Sequence, residues 1–365
     1  MQEPYRQTGR NSEEKRMKRG ALLVVAVAAV PGIAAAQSGV TIFGVADLYT
    51  EYVKSGANHV ARLEDGGLYQ SRWGLRGKEE LAPGLSTVFT LETGLALDSG
   101  TAQQGGRLFG RQAWVGLSSK DWGALTLGRQ NTPIYYIEGQ ASAFGFSPYG
   151  PLGRLQNGGP AGSSLTARAD NSIRYESPEL AGLQGSVIYS FGAERTSAPL
   201  DADRLAAGGL TYARGPLWLG LAYERTYSIG AVTDADRDER AIGATYEFPW
   251  VKLFANVRQA TRWVPGKATL KDRGFHVGTT IPVGGAGLVL LAYGMQQSVG
   301  TPNRGQQASI GYQYSMSKRT TLYANASKIW NTNTANYTFS NIPNEVTASS
   351  VSDPRGVMMG MRHLF

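Results

Sequence analysis

Cysteine is absent from this chain of 365 residues, and only three histidines occur, at positions 59, 276 and 363. The first absence excludes a disulfide framework and thiolate chemistry, and the scattered histidines offer no metal-ligand spacing. The sequence therefore predicts no metal site and no cofactor. Acidic residues are also scarce in one long segment, because residues 131–167 contain a single acid, Glu138.

Long hydrophobic runs are lacking as well, apart from residues 21–33 near the N-terminus. This run follows Met17 and two basic residues and precedes three alanines, which is the order of a secretory signal peptide. We predict that translation starts at Met17, that cleavage follows Ala36, and that residues 1–36 are an N-terminal extension plus signal peptide. The run is too short for a spanning helix of ~20 residues. Any membrane insertion must then use a barrel, because only helices and closed barrels satisfy every backbone group in lipid.

From residue 39 onward the sequence has a period of two, which is typical of strands with two different faces. Ile42 and Leu48, for example, lie on the face opposite Asp47 and Glu51. Most of the predicted strands are long enough to cross a membrane as tilted strands. We predict strands over residues 40–53, 69–80, 85–97, 107–118, 123–130, 168–177, 183–192, 204–213, 217–226, 238–248, 251–261, 272–282, 287–297, 306–316, 320–330 and 354–365.

Short turns and long loops alternate between these segments, and the strand count is even, as in transmembrane barrels. A soluble sandwich also has many strands, but it does not require near-equal spans with both ends on the short-turn side. The sequence predicts an all-β protein, a 16-stranded antiparallel transmembrane β-barrel in which the last strand closes on the first. Residues 131–167 form its third long loop, and a segment this long without a period is usually functional.

Several motifs point to a family. The chain resembles the general trimeric porins of β-proteobacterial outer membranes, and the matching motifs are GVTIFG (39–44), SRWGLRGKEEL (71–81), RQAWVGL (111–117), WGALTLGRQ (122–130), NSIRYESPELAGL (171–183), GYQYSMSKRTTLYA (311–324) and MRHLF (361–365). The resemblance implies that residues 37–365 form a porin barrel in the outer membrane of a Gram-negative bacterium. It also implies a homotrimer, passive diffusion of small hydrophilic solutes, and an inward-folded loop 131–167 that narrows each pore. The terminal strand, with Met361, His363 and Phe365 on one face, resembles the signal read by the barrel-insertion machinery.

Charge at the narrowest point decides the selectivity of such a pore, since arginine and lysine favour anions and acids favour cations. The alternation of residues predicts that five arginines face the lumen, together with two acids: Arg72, Arg76, Arg111, Arg168, Arg174, Asp47 and Glu92. It also places Arg107 and Arg111 opposite Trp114. We predict an anion-preferring pore with a basic ladder formed by Arg72 or Arg76, Arg111 and Arg168, opposite a loop with only Glu138. The alternative is that Asp47, Glu92, Asp170 and Glu224 neutralise these arginines.

Three other functions compete with that of a general pore: an enzyme, a substrate-specific channel and an adhesin. An enzyme is disfavoured, because His276 has no serine nearby on its own face, as a barrel lipase needs, and His363 is part of the terminal strand. A substrate-specific channel would add an aromatic slide or a ligand site. Five aromatic residues of loop 131–167 could form such a slide, unless they only pack the loop against the barrel wall: Tyr135, Tyr136, Phe144, Phe146 and Tyr149. The exposed loops also suit an adhesin or surface antigen.

The partners follow from the charge and its distribution. Residues 37–365 carry 30 basic and 25 acidic side chains, spread along alternating strands and not in a compact stripe. This pattern does not indicate nucleic acid. The expected partners are the lipid bilayer, lipopolysaccharide phosphates, small inorganic anions and further copies of the chain.

Overall fold

The structure is a computed structural model that describes residues 39–153, 155–156, 167–193, 200, 202–339 and 352–365. The predicted signal peptide and Arg154, a basic residue of segment 131–167, lie outside these residues. The described part contains eighteen strands in one antiparallel sheet. They are β1 (Gly39–Ser55), β2 (Asn58–Asp65), β3 (Arg72–Ala82), β4 (Leu85–Ala96), β5 (Thr101–Ala102), β6 (Gln112–Ser119), β7 (Gly123–Asn131), β8 (Arg168–Glu176), β9 (Leu183–Ser190), β10 (Leu205–Arg214), β11 (Leu217–Thr226), β12 (Arg237–Phe248), β13 (Val251–Arg262), β14 (Leu270–Val283), β15 (Gly287–Ser298), β16 (Arg304–Ser315), β17 (Thr320–Thr332) and β18 (Arg355–Leu364).

All strands except β2 and β5 form a closed barrel of sixteen antiparallel strands, as the sequence predicts. Closure occurs between β1 and β18, which pair from Val45↔Leu364 to Lys54↔Arg355. Two backbone hydrogen bonds between Gly44 and Phe365, of 2.9 and 3.1 Å, extend this seam to the last residue. A closed barrel has no free edge, so every spanning strand has two hydrogen-bonded neighbours.

The two faces of the barrel wall differ in chemistry. Exposed apolar side chains such as Leu127, Leu221 and Ile242 form the outer face, whereas the inner face carries buried polar residues such as Asn256 and Gln307. This alternation is expected for a strand that faces lipid on one side and a polar interior on the other. No helix among the described residues is long and apolar enough to span a membrane.

The predicted segmentation was wrong at three loops. Residues 54–68, expected to be a loop, contain β2, because β1 continues to Ser55 and pairs with β2 beyond its pairing with β3. Residues 107–111 were assigned to a strand, but β6 begins at Gln112, after a short helical turn, α1 (Gln103–Gly106). Residues 131–167 contain a helix, α2 (Pro133–Gln140), which starts with proline in its first turn. A 3₁₀ turn at Ile229–Ala231 is the remaining helical element of the described chain.

The described part of segment 131–167 lies against the inner wall. A Cβ atom added to Gly243 in β12 would lie 2.6 Å from the Cβ of Ala141, and one added to Gly294 in β15 would lie 2.5 Å from the Cβ of Pro151. Ile134, Tyr149 and Leu152 in this segment are fully buried. The segment therefore fills part of the lumen at the place where the sequence predicts a constriction.

Candidate pore constriction

A cleft of about 550 Å³ separates the inward segment from three arginines on the opposite wall. Arg72 opens β3, Arg111 lies just before β6, and Arg168 opens β8. The facing surface of the segment is formed by Tyr135, Tyr136, Gly139, Gln140, Gly145, Phe146 and Gly153. The cleft thus joins three of the predicted site residues to the loop that was predicted to face them.

One of these arginines is tightly paired. The Arg111 guanidinium donates from Nε to Oε1 of Glu92 at 2.5 Å and from Nη1 to Oε1 of Gln70 at 2.6 Å. Only 3% of Arg111 is exposed. Arg72 lies farther from the same carboxylate, with 4.0 Å between its Nε and Oε1 of Glu92. Glu92 therefore neutralises one positive charge, chiefly that of Arg111.

Arg168 has no acidic partner among the described residues. Its guanidinium carbon lies 5.9 Å from the centre of the Tyr135 ring, close enough for a cation–π contact. Asp170, which could have neutralised it, pairs instead with Arg129 at 2.5 Å and with Arg107 at 2.9 Å. Among the described residues, the three arginines that line the cleft and the adjacent Glu92 leave an excess of two positive charges.

Glu138 does not face this cleft, which differs from the sequence-based expectation. Its side chain is completely buried between α2 and the far wall, with 3.4 Å between Oε1 and Nε of Arg258 in β13. Arg258 also contacts Oε2 of Glu239 at 2.8 Å. Burial raises the pKa of Glu138 to about 7, Arg258 partly offsets this rise, and Glu239 adds to it. The single acid of the segment is therefore used for its attachment.

Three other predicted pore residues lie elsewhere. Arg76 packs over the Phe43 ring at 5.2 Å and lies four residues further along β3 than Arg72, towards the short turn after Ala82. Arg174 forms an ion pair with Glu176 and lines a second cavity. Asp47 is fully buried and accepts hydrogen bonds from the backbone N–H groups of residues 67–69 and from the Tyr323 hydroxyl. Asp47 thus holds the β2–β3 connection and is not available to solutes.

The expected orientation of Trp114 was also wrong. Val115 and Leu117 are the exposed outer residues of β6, so Trp114 faces inward. It lines the second cavity, of about 540 Å³, together with Tyr136, Arg174 and Trp218. Arg111 escapes the alternation because it precedes the strand, which leaves its side chain free to turn towards Glu92.

The inward segment is anchored by residues that sequence reasoning did not assign to the site. Nη1 of Arg258 donates to the carbonyl oxygen of Gln156 at 3.2 Å, and Nε2 of His276 lies 3.1 Å from the carbonyl oxygen of Ala141. The Tyr149 hydroxyl donates to Oε2 of Glu51 at 3.1 Å. The alternation could have placed Arg258 and His276 in the lumen, but no local signal identifies their partners.

The terminal residues lie on the outer face of the seam. Met361 and Phe365 are about half exposed, at 52% and 49%, and His363 is exposed with Nδ1 2.9 Å from the Thr320 hydroxyl. The Phe365 ring lies directly over Gly44, where an added Cβ would be 2.2 Å from Cζ of the ring. The last aromatic residue therefore covers the junction at which the barrel closes.

A closed barrel of sixteen strands is wide enough to leave an aqueous channel. With a polar lumen, an apolar outer face and an inward segment that borders a charged cleft, the fold and the site define a channel-forming outer-membrane β-barrel. The family model described as Gram-negative porin matches residues 21–334. The chain belongs to this family and is an outer-membrane porin.

Known proteins support this assignment over nearly the whole chain. The outer membrane porin protein 32 of Delftia acidovorans is 33% identical over 354 residues, which cover 94% of this chain and 99% of that protein. The anion-selective porin of Comamonas acidovorans has a similar structure, with a TM-score of 0.78, 28% identity, and 90% and 100% of the two chains covered. OmpT of Vibrio cholerae, described in a trimer form, shares the fold at a TM-score of 0.63 and 17% identity over 90% and 99% of the chains.

Proposed function

We propose that this porin is a general diffusion channel for small hydrophilic solutes that prefers anions, and that it works as a homotrimer without a catalytic step. The observation that carries the preference is the unequal charge of the cleft. Arg72, Arg111 and Arg168 border it on one side, and Glu92 is the single acid in direct contact with them among the described residues. The loop side contributes no described acid, because Glu138 is turned towards Arg258.

The paired and unpaired arginines differ in what they offer a passing anion. Arg111 already donates to Glu92 and Gln70, so its field in the cleft is largely compensated. Arg168 has no such partner, and a guanidinium stays charged and can bind carboxylate or phosphate in a bidentate manner. We therefore assign the larger part of the selectivity to Arg168, a smaller part to Arg72, and mainly a structural role to Arg111.

A planar-bilayer measurement of the reversal potential in a KCl gradient tests this ranking. A unit charge about 5 Å from an ion in water contributes roughly 0.8 kcal/mol, or about a fourfold change in local concentration before salt screening. Arg168→Gln should lower the chloride-to-potassium permeability ratio by roughly twofold to fourfold, whereas Glu92→Gln should raise it. Arg319→Gln, on an exposed short turn, is the matched control with the same loss of charge.

Two results would contradict the proposal. A wild-type reversal potential on the cation side removes the anion preference. A larger loss with Arg111→Gln than with Arg168→Gln, at equal yield of folded protein, removes the ranking of the arginines.

A substrate-specific channel is the second candidate, and the aromatic residues at the cleft favour it. Tyr135 and Phe146 line the cleft and stack on each other, with ring centres 4.6 Å apart and planes 3° from parallel. Phe144 and Tyr149 are instead buried as packing residues. Liposome swelling distinguishes the two candidates, since permeation that falls smoothly with solute size indicates general diffusion and saturation by one solute indicates a binding site.

The homotrimer is supported by the family resemblance and by the trimer form of the Vibrio cholerae relative. The terminal strand is proposed to carry the insertion signal through Met361, His363 and Phe365, which lie together on its outer face. An adhesin or antigen role of the outer loops is compatible with the pore, because it does not involve the residues of the cleft.

A further inference from the structure

The second cavity of the lumen, of about 540 Å³, adjoins the charged cleft and shares Tyr136 and Gln140 of α2 with it. Three of its lining residues lie close to short turns, since Glu176 ends β8, Gln184 is the second residue of β9, and Trp218 is the second residue of β11. The short turns of outer-membrane barrels are on the periplasmic side. The cavity therefore occupies the part of the lumen between α2 and the periplasmic mouth.

The lining of this cavity carries no net charge, unlike that of the cleft. Arg174 and Glu176 are the charged side chains among the residues that line it, and they form an ion pair with each other. Gln184 also donates from Nε2 to Oε1 of this glutamate, at 3.4 Å. Because both charges are compensated within the wall, the cavity gives an anion no advantage over an uncharged solute.

Trp218 presents an aromatic surface to the cavity. One side of its indole ring lies against the wall: a Cβ atom added to Gly220 would be 2.7 Å from Cη2 of the indole, and one added to Gly243 would be 3.3 Å from its Cζ3. Trp218 also packs against the buried cluster that contains Ile134 and Ile137 of α2. These contacts hold the ring in place, and its remaining surface lines the cavity.

Polar groups that are free to bind a solute lie beside this ring. Among the described residues, the Ser186 hydroxyl, the Gln140 carboxamide and Nε1 of Trp218 have no hydrogen-bond partner, and none of these atoms is shut off from the lumen. Ser186 lies near α2, since a Cβ atom added to Gly209 would be 3.4 Å from its Oγ and 3.2 Å from Cδ1 of Ile137. A hydroxyl and a carboxamide both donate and accept, whereas the indole N–H donates.

Trp114 in β6 and Tyr136 form a second aromatic end of the cavity. Nε1 of Trp114 donates to Oε1 of Gln112 at 3.1 Å, and the Arg174 guanidinium carbon lies 5.1 Å from the centre of the Tyr136 ring. Four strands separate β6 from β11, so Trp114 and Trp218 are ~24 Å apart along the wall at ~4.8 Å per strand. A small solute therefore contacts one aromatic end at a time.

We propose that this cavity is a subsite for a neutral saccharide of one or two rings, on the periplasmic side of the inward segment. A sugar ring has a flat face of C–H groups that packs on an aromatic surface, and its edge carries hydroxyls that donate and accept. Trp218 provides the surface, and Gln140 and Ser186 provide hydrogen bonds beside it.

The subsite rests on the passage of small hydrophilic solutes proposed above, and it does not depend on the anion preference. It is also distinct from the stacked aromatic pair at the cleft, because neither Tyr135 nor Phe146 lines this cavity. A weak site of this kind holds a passing solute briefly and leaves the channel open to others.

The test measures binding of glucose to the full-length protein in detergent by ligand-detected NMR, with saturation transferred from the aromatic protons of the protein. Sorbitol, the open-chain alcohol of glucose, is the matched control ligand, since it keeps the hydroxyls but has no ring face. We expect saturable binding of glucose and binding of sorbitol that is weaker by roughly threefold to tenfold. Trp218→Leu keeps an apolar contact with α2 and should weaken glucose binding by a similar factor. Trp250→Leu, at an exposed short turn, should leave it unchanged.

Three results would overturn the assignment. Equal binding of glucose and sorbitol would show that no ring face is recognised, and unchanged glucose binding in Trp218→Leu would remove this residue from the site. Tighter binding of adenosine than of glucose would show that the cavity prefers a planar base to a saccharide. Should Trp218→Leu not fold, Ser186→Ala removes a hydrogen-bonding group beside the ring and is read in the same way.

Liposome swelling separates the failure of this proposal from a failure of the proposed function. Swelling by glucose without saturable binding would refute the subsite and leave general diffusion intact. An absence of swelling by glucose would refute general diffusion itself. A reversal potential on the cation side would refute the anion preference and leave the subsite standing, because the lining of this cavity carries no net charge.

Discussion

Glu138 offers a direct test of how the inward segment is attached, because burial destabilises the ionised form of its carboxyl group. The side chain is completely buried, neither carboxylate oxygen accepts a hydrogen bond, and the contact with Arg258 is 3.4 Å long. Arg258 is shared with Glu239 at the shorter distance of 2.8 Å. The pKa of Glu138 therefore rises from 4.5 to about 7, chiefly through burial.

The sign of the resulting pH dependence follows from the direction of this shift. An acid whose pKa is higher in the folded protein than in the unfolded chain stabilises the fold below its unfolded pKa. That stability is lost as the pH rises through the folded pKa. For Glu138 the window extends from pH 4.5 to about pH 7. The full shift corresponds to roughly 3 kcal/mol at about 1.4 kcal/mol per pKa unit, as an order of magnitude.

Glu138→Gln keeps the size of the side chain and removes its titration. We expect the apparent melting temperature of the wild-type protein to fall relative to that of the variant between pH 4.5 and pH 8, by several degrees. The assay is thermal unfolding of the full-length protein in detergent at a fixed scan rate, followed by circular dichroism. Glu179→Gln, at an exposed turn, is the control and should show no such difference.

The refuting result is a difference of the opposite sign. A wild-type protein that gains stability over the variant as the pH rises would show that Glu138 is charged and held by Arg258. Since Glu138 does not border the cleft, the variant should also keep the wild-type reversal potential. A loss of anion preference in this variant would contradict the placement of Glu138.

Two further predictions concern the track of the segment and the seam of the barrel. Gly243→Val should displace α2, because an added Cβ lies 2.6 Å from the Cβ of Ala141, the residue after the helix. We expect a larger single-channel conductance with more frequent fluctuations. Gly39→Val is the control and should leave the conductance unchanged, since a Cβ added there meets no atom within 4 Å. Unchanged conductance in the first variant would show that α2 does not limit the channel. Phe365→Ala should lower the amount of barrel inserted into outer membranes, measured by heat-dependent gel mobility, while Met316→Ala on an exposed turn should leave it unchanged. Normal insertion of the Phe365 variant would remove the terminal aromatic from the signal.

The barrel could be predicted from the sequence because the signals for its strands and turns lie within short segments of the chain. A period of two fixes which residues of a strand share a face, and alternating short and long connections give the order of the strands. Arg72 and Arg168 were placed in the lumen by this rule alone, and they do lie at one cleft. The rule failed for Trp114, because Arg111 lies before β6 and its direction therefore does not decide which face of the strand Trp114 takes.

The partners of charged side chains could not be predicted, because they depend on how a long connection folds back through space. Glu138 is 120 residues from Arg258 in the chain, and Arg111, just before β6, is 19 residues from Glu92 in β4. The preference of Asp170 for Arg107 and Arg129 over Arg168 likewise depends on the geometry of three separate elements. Strand alternation predicts on which side of the barrel wall such a side chain lies, but it does not predict which charged residue it pairs with.

The sequence does indicate where the inward segment lies along the wall, through glycines in the strands that the segment crosses. Several strand glycines have no room for a side chain because the segment occupies that space: an added Cβ would meet Pro133 at Gly209, Ala141 at Gly243, Ala143 at Gly278, Pro151 at Gly294, Leu155 at Gly305 and Tyr149 at Gly356. Glycine weakens a strand interior and often marks a site of close approach by another backbone. These glycines lie on β10, β12, β14, β15, β16 and β18, and such a set on one half of a barrel therefore indicates where a long loop lies against the wall. Here it leaves the half that carries Arg72, Arg111 and Arg168 as the open side of the channel.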